Sequence, residues 1–118
     1  MEKIVRQSLL YDFYGELLTD HHKNIYVEVF LNDMSYSEIG RIYGISRQGV
    51  YDMIKRCDKI LEDYEGKLKL VEKFVNARDK IATVQSNILK LKADNKDLEL
   101  VEIIDEIDME TAKLLEEF

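Results

Sequence analysis

Apolar residues recur at helical spacing along most of this chain. Val5, Leu9, Phe13 and Leu17 fall every four positions and predict a helix over residues 3–18. Thr19 is placed to cap a second helix over 20–32, with Ile25, Tyr26, Val29 and Phe30 turned inward. Asn32-Asp33 begins a turn, and two short amphipathic patterns then meet at Gly44-Ile45-Ser46, inside the stretch SYSEIGRIYGISRQGVYDMIKRCDKILE at 35–62. Beyond Gly66 the texture changes. Leu68, Val71, Val75, Ile81, Ala82, Ile88 and Leu91 form a stripe on a long helix, the polar run 92–97 interrupts it, and a final helix over 97–117 carries Val101, Ile104, Ile107, Leu114, Leu115 and Phe118.

The pattern is all-α, with a four-helix N-terminal unit at 1–66 and a helical hairpin or dimerisation element at 67–118. Neither long helix can leave its stripe in water. A homodimer is the favoured expectation, because a two-fold arrangement presents two recognition helices together; packing within the chain is the alternative.

The stretch 35–62 reads as a helix-turn-helix. Ile39, Tyr43, Ile45, Val50, Met53 and Ile54 supply the wedge between two steeply crossing helices, and Gly40 removes a side chain where the backbones come closest. Gly44 follows the last turn of the first helix, where a left-handed residue is needed. Ser46 stands at the next N-cap, and Ser35 with Glu38 has the spacing of a capping box.

On a wheel of roughly 100° per residue, residues 47–63 divide into two sides. Val50, Met53, Ile54, Cys57, Ile60, Leu61 and Tyr64 share one; Arg47, Gln48, Tyr51, Asp52, Lys55 and Lys59 share the other. Arg and Gln suit guanine and adenine edges, and the N-terminal residues of a helix in a major groove are the ones that reach them. Arg47, Gln48 and Tyr51 are therefore the expected readers, and Lys55, Arg56 and Lys59 the phosphate contacts.

Charge sharpens this picture. The 118 residues carry a formal net charge of −7, which repels nucleic acid at long range. Residues 41–59 run against that trend: Arg41, Arg47, Lys55, Arg56 and Lys59 face only Asp52 and Asp58, a local excess of three positive charges. Hydrophobic residues make up 46%, enough for a core, and no proline interrupts any helix. The N-terminal segment lacks the unbroken apolar centre of a signal peptide, and no run reaches membrane-spanning length, so a cytoplasmic protein without membrane insertion is expected. The single Cys57 sits on the apolar side and reads as a core residue.

LLTD, then SYSEIGRIYGIS and a short amphipathic helix, resembles region 4 of bacterial sigma-70 factors, which binds promoter DNA. LLYDFYGELLTD at 9–20 and SYSEIGRIYGISRQGVYDMIKRCDKILEDYEGKL at 35–68, with the long helical tail, are similar to the YlxM or p13-like family. The resemblance implies an all-α, sigma region 4-like helix-turn-helix bundle with a long C-terminal extension. It also implies a regulatory role in the signal recognition particle pathway, since the family's genes typically neighbour those of that particle's GTPase and receptor. Gly49 departs from the alanine expected of relatives, and glycine costs about 0.8–1.0 kcal/mol against alanine in a helix interior.

Two functions follow from these readings. One is a regulator that binds nucleic acid, either DNA or the particle's RNA. The other is an acidic adaptor that binds the particle's GTPase or its receptor. No glycine-rich phosphate loop and no paired nucleophile and base are found, so an enzyme is not expected, and neither is a cofactor or metal. His21-His22 are adjacent on a helix and diverge, reading as surface residues of its first turn, and Glu102, Asp105, Glu106, Asp108 and Glu110 read as a hydrated face.

Overall fold

Capping side chains set most of the helix starts. In the computed structural model, which describes residues 2–117, Thr19 Oγ1 accepts from the His22 N–H at 3.3 Å and Ser35 Oγ from Glu38 N–H at 3.1 Å. Ser46 Oγ accepts from Gly49 N–H at 2.9 Å and Asp97 Oδ1 from Glu99 N–H at 3.0 Å. The elements are α1 (Lys3–Tyr14), a 3-10 turn (Gly15–Leu17), α2 (Asp20–Phe30), α3 (Tyr36–Tyr43), α4 (Arg47–Leu68), α5 (Leu70–Asp94) and α6 (Leu98–Glu116). All regular structure among the described residues is helical. Phe118, expected on the final stripe, lies outside them.

The chain forms two compact units, one ending at Val71 and the other beginning at Glu72. α4 runs straight through Gly66 to Leu68, and its left-handed cap is Lys69 with φ 59°. That conformation is unfavourable for a residue with a Cβ. Side-chain acceptors just beyond it hold the turn: Tyr14 Oη accepts from Leu70 N–H at 3.1 Å, and Glu65 Oε1 from Val71 N–H at 2.9 Å. Glu65 and Tyr14 thus serve the first amides of α5, where a negative charge is favoured.

Leu10, Tyr14, Leu18, Ile25, Tyr26, Ile39, Val50, Ile54, Cys57, Leu61 and Val71 fill the core of the first unit. The α1 stripe read from spacing is displaced by about one residue: Val5 and Leu17 are exposed, while Leu10 and Tyr14 are buried. The cause is polar. Arg6, Gln7 and Tyr14 on α1 face carboxylates of α4, so the inward side of α1 is not its most hydrophobic side. Arg6 makes a bidentate pair with Glu62 (both 2.7 Å), and Gln7 Nε2 donates to both Asp58 oxygens (3.1 and 3.2 Å). Tyr26 Oη donates to Asp58 at 2.9 Å, and Tyr14 Oη to the buried Glu65 at 2.6 Å.

In the second unit, Lys92 Nζ pairs with Asp105 at 2.6 Å and Asp108 at 3.1 Å. Were α6 to continue along the axis of α5, Lys92 and Asp108 would be about 24 Å apart. The chain must double back as a hairpin, and two of the carboxylates read as a hydrated face are its clasp. Ile81, Ile88 and Ile104 are its buried residues.

Tyr14→Phe removes the hydroxyl that donates to Glu65 and accepts from Leu70. It should lower the unfolding free energy by about 1–3 kcal/mol, read as a shifted urea midpoint with an unchanged slope.

Candidate nucleic-acid interface

The turn between α3 and α4 depends on two glycines. Gly44 adopts φ 72°, ψ 30°, and both its N–H and that of Ile45 (2.9 Å) return to the Gly40 carbonyl. A Cβ on Gly40 would come 2.6 Å from the Ile45 carbonyl oxygen. Close packing at Gly40 is therefore against the turn that launches α4. Ile39, Val50 and Ile54 lie buried at this corner, with Tyr43, Ile45 and Met53 half-buried around it.

With the inner side of α4 so engaged, every expected contact residue faces outward: Arg47, Gln48, Tyr51, Asp52, Lys55, Arg56 and Lys59 are all exposed. Their side chains are partly ordered by one another. Gln48 Nε2 donates to Asp52 Oδ1 at 2.9 Å, Lys55 Nζ stands 5.4 Å from the centre of the Tyr51 ring, and Lys59 pairs with Asp63 at 3.5 Å. The Gln48 amide must leave Asp52 before it can grip an adenine edge with both its groups. Arg47, Gln48 and Tyr51 converge on a shallow basin of about 520 Å³.

Its fourth wall is Tyr36, which the sequence reading did not select. Tyr36 begins α3 and meets the Tyr51 ring edge-on at 6.1 Å between centroids. Its signal was its place directly after the Ser35 cap, since a residue opening the first helix of such a pair lies beside the second helix. Gly49 is better held than its helix propensity suggests, because its N–H is the one Ser46 caps. A Cβ there would stand 3.1 Å from the Ser46 hydroxyl.

The carboxylates that follow on the same side of α4 are taken up by neighbouring elements. Asp58 is engaged by Tyr26 and Gln7, and Glu62 by Arg6, whose guanidinium holds the Glu62 carboxyl below its usual range. Cys57 lies buried behind the face, and burial, with Asp58 adding, pushes its thiol up to about 11. It is protonated at neutral pH and a poor nucleophile. His21 packs edge-on against Tyr43 at 5.8 Å, joining α2 to α3. His22 is half-buried rather than a free surface residue, and burial, then His21 and Arg56, lower its pKa from 6.5.

The model of the helix-turn-helix proteins described as YlxM / p13 like matches residues 1–101. The chain belongs to that family. It is 42% identical over 107 residues to a UPF0122 protein of Thermoanaerobacter sp., covering 91% of this chain and 92% of that one. A UPF0122 protein of Caldanaerobacter subterraneus is 51% identical over 81 residues, 69% of each chain. One of Shouchella clausii is 38% identical over 108 residues, 92% of this chain and 99% of its own. The match of this YlxM-like chain reaches past the helix-turn-helix into α6.

Because folding lowers the His22 pKa, the unfolded chain takes up its proton first. Stability contributed here is complete above the ordinary value of 6.5 and is lost as pH falls below it. Urea midpoints at roughly pH 7.5 and 5.5 should therefore differ in wild type, and His22→Gln should reduce the difference.

Proposed function

We propose that this protein is a non-enzymatic, cytoplasmic regulator that binds duplex nucleic acid through the N-terminal half of α4, acting as a homodimer. Its family suggests a place in the signal recognition particle pathway. The observation that carries the reading is the single exposed face formed by Arg47, Gln48, Tyr51, Lys55, Arg56 and Lys59, launched from a capped, glycine-dependent turn. DNA is the better geometric fit, because the major groove of A-form RNA is too narrow for a helix. Arg47 and Gln48, nearest the helix start, act on base edges. Tyr36 and Tyr51 form the apolar wall beside them, suited to a thymine methyl. Lys55, Arg56 and Lys59 follow the phosphates.

The net charge of −7 has a second consequence. Affinity for duplexes in general is weak and confined to this face, and its three phosphate-contacting cations set a log–log salt slope of about −2.7 per face. The same acidity favours the adaptor reading, in which α6, rich in Glu and Asp, binds the basic GTPase of the particle. Among the described residues, no helix is long and apolar enough to cross a membrane.

Titration of labelled DNA duplexes and of the particle RNA at two salt concentrations tests the regulator. Arg47→Ala with Gln48→Ala should lower the preference between duplexes, at about 1–3 kcal/mol per lost base contact. Lys55→Ala should weaken all duplexes alike and reduce the log–log salt slope by about 0.9. If wild type binds neither nucleic acid at low salt but retains the purified GTPase in a pull-down, the adaptor reading replaces it.

A further inference from the structure

Asp52 stands at the centre of the exposed face of α4, and the readout proposed above gives it no task. At roughly 100° per residue, the buried Val50, Ile54, Cys57 and Leu61 define the inward direction of α4, and Asp52 lies about 170° from it. Arg47 and Tyr51 flank it on one side and Arg56 on the other. A duplex that takes this face into its groove therefore meets Asp52 with its base edges and the flanking residues with its phosphate walls. Lys55 and Arg56, three and four residues on, are at helical pairing distance. Among the described residues, however, Asp52 makes an ion pair with neither: Lys55 lies over the Tyr51 ring, and Asp52 Oδ1 takes the Gln48 amide at 2.9 Å. Asp52 Oδ2 has no donor among the described residues, and both oxygens are free once Gln48 turns to a base.

An ionised carboxylate accepts hydrogen bonds and donates none. The major groove offers base donors at two places only, adenine N6 and cytosine N4. Adenine N6 lies between two acceptors, N7 of its own ring and O4 of the paired thymine. Cytosine N4 has an acceptor, guanine O6, on one side and a C–H edge on the other, so a carboxylate meets less repulsion there. We propose that Asp52 is a specificity-determining residue that selects a C·G pair beneath the middle of this face. The inference rests on the proposed binding of duplex DNA by α4 and adds an acidic reader to it. Its effect is rejection as much as attraction: opposite guanine O6 and N7, or thymine O4, the carboxylate is desolvated against an acceptor.

Selection of duplexes from a randomised pool by the full chain, followed by titration of a selected duplex and its single-pair variants, tests this. Wild type should show one C·G position whose replacement weakens binding at least about fivefold. Asp52→Asn should move the preference at that position to A·T, because an amide grips adenine N6 and N7 together. Asp52→Ala should abolish it, and both variants should keep the wild-type preferences elsewhere and the helical circular dichroism. If wild type selects a duplex without such a position, or either variant keeps the C·G preference, the proposal is overturned while the regulator reading stands. A uniform gain in affinity with preferences unchanged overturns it too, as simple relief of charge repulsion. A wild-type chain that selects no duplex overturns both.

Discussion

Three carboxylates on one side of α4 hold the N-terminal unit together. Asp58, Glu62 and Glu65 recur at i, i+4 and i+7, and each finds its donors on another element: Gln7 and Tyr26, Arg6, and Tyr14. These interactions differ in weight. The Arg6–Glu62 pair is 42–45% exposed and is worth on the order of 0.2–1 kcal/mol despite its bidentate geometry. Glu65 is buried, and a buried carboxylate without partners would be far more costly than this one with them. Among the described residues no buried side-chain nitrogen or oxygen lacks a partner, so the seam is complete. Burial, with the neighbouring carboxylates, raises the pKa of both Tyr14 and Tyr26 above the ordinary tyrosine value.

The same seam arranges the charge of the molecule. α4 has 22 residues and is about 33 Å long. Its C-terminal half turns acids inward to α1 and α2, while its N-terminal half turns bases outward. An acidic protein thereby keeps a cationic face without a basic composition. Asp52 on that face accepts from the Gln48 amide and Asp63 pairs with Lys59, so two of its side chains are held by acids of the same helix.

How much of this was legible in the sequence depends on the range of each interaction. Local signals were readable: Thr19, Ser35, Ser46 and Gly44 act on atoms within a few residues, and all four stand where the pattern placed them. The exposed cationic face of α4 was readable because one helix wheel determines it. The inward side of α1 was not, because apolar spacing cannot show that Arg6, Gln7 and Tyr14 would be matched by acids more than fifty residues away. The i, i+4, i+7 carboxylates of α4 were the available clue. The end of α4 was equally opaque. Gly66 looks like a stop, yet contacts from Tyr14 and Glu65 make Lys69 the left-handed residue.

Residue-resolved amide hydrogen exchange of the full chain tests the central claim, that the polar seam joins α1 and α4 into one cooperative support for the exposed cationic face. The amides around Leu10 and Tyr14 should open with the same free energy as those from Ile54 to Glu65, equal to global unfolding of the N-terminal unit. Exchange of α1 at a much lower free energy, with α4 still protected, would contradict it.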